Sequence, residues 1–168
     1  MVLIAQGGWL LNRKEKPSTV MDPQPTLLIV EDDKTQQKVL GLLAEKFGFV
    51  SVIVNTGEQA ISALDVCDTF FDAILMDIRM PDMDGYECTQ KIRTKFAMEK
   101  RHIPIIAVTA YASDAYRLQC LKAGMDDYLS KPFDAEEFRR ILLKWAYNPK
   151  IPNLKLLPSP RKDDSATG

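Results

Sequence analysis

Histidine occurs once in this chain, at His102, and cysteine three times, at Cys67, Cys88 and Cys120. No metal-ligand or redox spacing links the cysteines. They read as small apolar side chains in a reducing compartment, not as disulfide partners or thiolate ligands. Long apolar runs are missing too. The opening MVLIAQGGWLL is too short to span a bilayer and lacks the basic start of a secretory signal. The expectation is therefore a cytoplasmic or cytoplasm-facing protein with no membrane segment. Basic excess is also lacking. Net charge is −1, and residues 26–145 hold 15 Lys/Arg against 19 Asp/Glu, a local net of 15 − 19 = −4. Such a segment carries no electrostatic footprint for nucleic acid. There is no internal repeat.

What is present is one globular domain's worth of patterned chain. The 168 residues suffice for one core, and 46% hydrophobic with 27% charged residues is ordinary for a soluble domain. Five strand-like runs alternate with five helical stretches. Thr26–Val30, Val50–Val54, Ala73–Met76, Ile105–Val108 and Tyr128–Leu129 read as strands. The helices are expected over about 34–47, from the Thr56-Gly57-Glu58-Gln59 capping box onward, 86–96, 113–123, and after Asp134 with Glu137 completing a capping pattern. Gly48 suits the end of the first helix. Helical spacing gives that helix Val39, Leu40, Leu43 and Phe47, the second Ala60, Ile61 and Leu64, and the fifth Phe138, Ile141, Leu142 and Trp145. Strict alternation of strand and helix implies an α/β fold with a parallel sheet covered on both faces.

The flanks differ. Residues 1–25 carry Gly7-Gly8, a basic patch at Arg13, Lys14 and Lys16, and Pro17, Pro23 and Pro25. They read as an appended leader, a linker from a longer parent or a cloning remnant, with Met21 a possible original start. Residues 147–168 hold Pro149, Pro152, Pro158 and Pro160 and read as a linker or tail, too short for a DNA-binding output module. The domain itself is expected over residues 26–146.

Chemistry collects where apolar strands stop. Strand one ends in Glu31-Asp32, strand three in Asp77, strand four in Thr109, and strand five is followed by Lys131. A parallel sheet brings such ends to one edge, the usual place for ligands in open α/β sheets. Clustered carboxylates repel and call for a cation. Oxygen ligands beside a phosphate suit Mg²⁺. A lysine and a hydroxyl complete a phosphoryl site, with Asp77 as a carboxylate nucleophile. Each residue also has an ordinary role open to it: Glu31-Asp32 as a helix cap, Thr109 as a strand end, Lys131 as a surface charge. Their coincidence at four strand ends favours the site.

The motifs LLIVEDD, AILMDIRMPDMDGYE, IIAVTAYA and DDYLSKPF, over about Thr26 to Trp145, resemble those of response-regulator receiver domains. The resemblance implies a flavodoxin-like, doubly wound five-stranded sheet in the order 2-1-3-4-5, flanked by five helices. It implies that Asp77 takes a phosphoryl group from a phosphohistidine, borne by a histidine kinase or a histidine phosphotransfer protein. Asp32 and Asp77 would ligate Mg²⁺, or Mn²⁺ in its place, with the backbone carbonyl of Arg79. Glu31 would help directly or through water. Lys131 would pair with the phosphoaspartate, Thr109 would donate to a phosphoryl oxygen, and Tyr128 matches an aromatic switch. Together these bias the face of helix four, strand five and helix five. Lys131-Pro132 matches a peptide bond that is usually cis.

The motif Gly124-Met125-Asp126-Asp127-Tyr128 through Pro132, and the ending Leu142-Leu143-Lys144-Trp145, resemble receivers fused to sensor kinases. A stand-alone regulator is the alternative origin. A haloacid-dehalogenase-like phosphatase also places an Asp after a buried strand, but Arg79 stands where its second Asp belongs. A receiver-like module that is not phosphorylated is the third reading. His102 is expected as a loop residue rather than a phosphodonor. The start of helix one, with Gln36, Gln37, Val39, Leu40 and Leu43, is the expected docking surface, provided some of its apolar residues are exposed. Oligomeric state is not legible.

Overall fold

The structure, a computed structural model, describes residues 24–66, 71–97, 102–111 and 113–146. The leader, the tail, Cys67 and most of the charged segment before strand four lie outside the described residues. The elements run β1 (Thr26–Val30), α1 (Lys34–Lys46), β2 (Val50–Val54), α2 (Gly57–Val66), β3 (Ala73–Asp77), α3 (Gly85–Phe96), β4 (Ile105–Thr109), α4 (Asp114–Ala123), β5 (Asp127–Ser130) and α5 (Ala135–Trp145). All pairings are parallel, in the order β2-β1-β3-β4-β5. The expected architecture and strand order are both met.

Strand composition explains strand position. β3 and β4 are buried at every residue and β1 at four of five, so their continuous apolar runs fit the middle of a two-sided layer. β2 and β5 are only partly buried and take the edges. Alternate residues of the central strands feed two cores. Leu28, Val30, Ile74, Met76, Ile105 and Ala107 face the side covered by Leu64, Ile92, Phe96 and Cys120 of α2, α3 and α4. Leu27, Ile29, Leu75, Ile106 and Val108 face the side covered by Leu40 and Ala44 of α1 and by Phe138, Ile141 and Leu142 of α5. Cys88 and Cys120 are buried free thiols, and burial pushes Cys88 up to about 12, as the plain reading of the cysteines requires.

Carboxylates start three of the helices. The side chain of Asp33, not Glu31 or Asp32, accepts from the Gln36 amide to cap α1. Asp84 accepts from Glu87 at the start of α3, and Asp134 forms the expected capping box with Glu137. The box before α2 is shifted by one residue. Thr56 Oγ1 accepts from the Gln59 amide, but Gln59 Oε1 reaches back to the amide of Asn55. Phe47 caps the C-terminus of α1, and Gly48 follows at φ 82°, a left-handed conformation that favours glycine.

The docking expectation for α1 needs correction. Leu40 is buried in the core, so a charge there would damage the fold and not a surface. Gln37 is buried as well. Val39 and Leu42 are the exposed large apolar residues of α1.

Candidate functional site

The parallel sheet does bring the polar strand ends to one edge. Glu31 follows β1, Asp77 closes β3, Thr109 closes β4, and Lys131 follows β5. Lys131 Nζ lies 2.9 Å from Glu31 Oε2 and 3.2 Å from Asp77 Oδ1. Glu31, Asp32 and Asp77 each turn a carboxylate oxygen into a space where all three lie within 4.8 Å of one another. Glu31, Asp77 and Thr109 are buried, while Asp32 is exposed at the rim.

The charges do not balance. Three carboxylates against one ammonium leave −3 + 1 = −2 in a partly desolvated pocket. Burial pushes the Asp77 carboxyl above its ordinary value. Lys131 works against that shift, and Asp32 adds to it. Burial likewise pushes Glu31 up, with the Lys131 hydrogen bond opposing. A divalent cation is the charge that relieves this repulsion. Three carboxylate oxygens without sulfur or imidazole are a donor set for a hard ion such as Mg²⁺. The residues present fit that ion.

The chain around Asp77 is held by Gly85. A Cβ on Gly85 would sit 2.3 Å from the Asp77 carbonyl oxygen, so only glycine allows α3 to begin there. The Gly85 amide donates to the Ile78 carbonyl at 2.9 Å, closing the loop after β3. The Asp84-Gly85 pair thus marks a close approach as well as a turn, and the residue at positive φ in this loop is Asp82, at 67°.

Thr109 Oγ1 accepts from the Tyr111 amide at 3.2 Å. The Arg79 guanidinium donates to the Tyr111 hydroxyl at 3.1 Å and lies over its ring, and Tyr111 stacks on Tyr116. This bridge between the loops after β3 and β4 was not legible beforehand. Tyr128 does not stand among the carboxylates. On β5 it pairs with Ala107 of β4, is half-buried against the α2–α4 core, and has Arg117 over its ring at 5.4 Å. The Lys131–Pro132 peptide is cis. His102 lies at the opposite edge of the sheet, with Nε2 2.6 Å from Asp126 Oδ1.

One residue of the expected docking surface lies elsewhere. Gln37, expected as a surface contact, points inward and donates to the Glu31 carbonyl. Its signal was present: residues 37, 40 and 44 form one helical stripe, two of its members are apolar, and a glutamine holds the third position.

The chain is similar to known proteins. The family profile described as the response regulator receiver domain matches residues 27–143. Histidine kinase 3 of Arabidopsis thaliana is 37% identical over 141 residues, which cover 73% of this chain and 14% of that kinase. The chain thus spans about one seventh of that curated relative's length. The receiver domain of sensor histidine kinase PA1611 from Pseudomonas aeruginosa, solved with a magnesium ion in its active-site cleft, is 40% identical. It superposes with a TM-score of 0.65 over 74% of this chain and 98% of that one. The receiver domain of the Saccharomyces cerevisiae response regulator Ssk1, co-crystallised with the phosphotransfer protein Ypd1, is 26% identical, with a TM-score of 0.66 over 74% of this chain and 90% of the matched one. With its five strands in the order 2-1-3-4-5 and its carboxylates at their ends, this chain belongs to the response regulator receiver domain family.

Proposed function

We propose that Asp77 is the phosphoacceptor of a two-component phosphorelay and that the chain is the receiver portion of a hybrid histidine kinase. The carrying observation is the buried Asp77 carboxylate at the mouth of the sheet, 3.2 Å from Lys131 and grouped with Glu31 and Asp32. An Asp77 oxygen attacks the phosphorus of a phosphohistidine. The P–N bond breaks, its electron pair stays on the imidazole nitrogen, and an acyl phosphate forms. Asp32, Asp77 and the Arg79 backbone carbonyl would hold Mg²⁺, or Mn²⁺, with Glu31 assisting directly or through water. That ion supplies charge neutralisation for the phosphoryl oxygens. Lys131 keeps one ammonium on the acceptor as negative charge builds. Thr109 turns its hydroxyl from the Tyr111 amide to a phosphoryl oxygen, and Tyr128 follows into the vacated space. This biases α4, β5 and α5.

The partner is a histidine kinase domain or a phosphotransfer protein, with no direct contact to nucleic acid. Its docking surface is α1, where the exposed Val39 and Leu42 give a small apolar patch. The domain spans residues 26–146, with linkers on either side, and works on the cytoplasmic side of the membrane. Among the described residues, no helix is long and apolar enough to cross one. The chain itself turns over no separate substrate. It catalyses only its own phosphorylation and dephosphorylation.

Acetyl phosphate with Mg²⁺, read by intact mass, tests the assignment. The wild type gains a single phosphoryl group and Asp77→Asn gains none while keeping its fold. Equal labelling of Asp77→Asn would move the acceptor elsewhere.

A further inference from the structure

Five polar side chains among the described residues are buried: Glu31, Gln37, Asp77, Thr89 and Thr109. Three belong to the site. Gln37 stands on α1, outside the strand ends, yet its polar atoms are all engaged beside them. Its Nε2 donates to the Glu31 carbonyl at 2.5 Å and to Asn55 Oδ1 at 2.7 Å. Its Oε1 accepts from Lys34 Nζ at 3.3 Å, and the same ammonium donates to Asn55 Oδ1 at 2.6 Å. The orientation of both amides follows from groups with no choice. A carbonyl only accepts, so the Gln37 nitrogen faces Glu31. An ammonium only donates, so both amide oxygens face Lys34.

The Glu31 carbonyl belongs to the peptide that joins Glu31 to Asp32. Asp32 is exposed, and its place beside Asp77 is set by the peptides on either side of it. The next peptide is held too, since the Asp33 amide donates to Glu31 Oε1 at 3.2 Å. The turn stays in place although its carboxylates repel one another and Asp77. Burying a glutamine is costly unless its groups are paired, and this one is paired to the acidic turn and to the loop after β2.

We infer that Gln37 is a positioning residue for the divalent-cation site: through the Glu31–Asp32 peptide it holds Asp32 in place before the ion arrives. Through Asn55 and Lys34 it ties the loop between β2 and α2 to the same point. The inference rests on the metal reading above, and its failure can be told apart from the failure of that reading.

The test uses the full chain and Mg²⁺ alone, titrated by NMR chemical shifts and by the rise in Tm, with no phosphodonor. Gln37→Met keeps the volume and helix preference but loses the donors and the acceptor. Its Mg²⁺ Kd is expected to rise about tenfold, in line with the loss of supporting shells around metal ligands. The Mg²⁺-dependent rise in Tm shrinks accordingly. Leu40→Ala loosens α1 without touching the turn, and its Mg²⁺ Kd is expected to stay at the wild-type value. Asn55→Ala removes the far anchor of the amide, so a smaller loss in the same direction is expected. It carries the test if Gln37→Met does not fold. A Kd within twofold of wild type in Gln37→Met, or an unchanged Kd in Asn55→Ala where Gln37→Met fails to fold, overturns the inference. So does an equal loss in Leu40→Ala, which would trace the effect to general loosening of α1. Absence of Mg²⁺ binding in the wild type overturns the metal reading itself and the inference with it.

Discussion

Two charged clusters sit at opposite edges of the same sheet and are built on opposite principles. At the N-terminal edge, Asp126 accepts from Arg93 at 2.7 Å, from the Ile105 amide at 2.8 Å and pairs with His102 at 2.6 Å. Arg93 also donates to the carbonyls of Gly124 and Ile103, both at 2.8 Å. This cluster pins the starts of β4 and β5 to α3. At the C-terminal edge one lysine pairs with two of three clustered carboxylates. The first cluster is satisfied as it stands, whereas the second lacks positive charge. A satisfied network holds a fold, and a frustrated one is completed by a ligand.

The comparison breaks most sharply under a pair of substitutions. Asp77→Asn should abolish phosphorylation outright with no loss of stability. Arg93→Ala should do the reverse. It leaves Asp126 short of its main partner and should cost about 3 kcal/mol of stability, read by urea unfolding. At a temperature where that variant is folded, acetyl phosphate should label it at the wild-type rate. Loss of labelling in folded Arg93→Ala would mean that the two edges are not independent.

A smaller effect is expected at the docking surface. A glutamate at Val39 or Leu42 should slow transfer from a phosphohistidine protein by about tenfold, the loss of roughly 1.4 kcal/mol of contact. Acetyl phosphate labelling should barely change, because that donor uses the pocket and not α1. Stability should move by less than about 0.5 kcal/mol at these exposed positions. Equal slowing with both donors would place the damage in the pocket.

The smallest expected effect is in the pH dependence of stability, where the two ends have opposite signs. Asp77 and Glu31 have folded values above their ordinary 3.8 and 4.5, chiefly through burial. The folded state binds those protons more tightly than the unfolded chain does. Their contribution to stability therefore rises as pH falls from neutral through the raised values, and levels off below the ordinary ones. Asp127, at the start of β5, behaves the other way. Burial pushes it up, but hydrogen bonds from Lys144, Trp145 and the Tyr128 amide outweigh that and hold it below 3.8. Its contribution is present above the ordinary value and is lost as pH falls through the lowered one. Asp77→Asn should thus melt above the wild type at pH 7, with the gap closing on acidification, while Asp127→Asn should melt below it. Parallel melting curves for Asp77→Asn and wild type across that range would remove the claim of a strained acidic pocket.

Strand and helix order, the central strands, the acidic strand ends and the Asp134 capping box were legible in the chain, because each is a local pattern. A continuous apolar run can only sit in a two-sided layer, and an Asp before a helix has its acceptor within reach of the first amides. Parallel pairing then left the polar residues little choice but to meet at one edge. Tertiary structure decided what depends on distance across the chain. Leu40 and Val39 are adjacent on α1 and look alike as letters, yet α1's rotation on the sheet buries one and exposes the other. Gln37 reads as a surface amide until the loop after β2 brings Asn55 against it. Gly85 reads as a turn residue until α3 is seen to start within contact of the Asp77 backbone. Tyr111 gains its meaning from Arg79, 32 residues earlier. Local propensity cannot report such contacts, since their partners are distant in sequence and are chosen by packing.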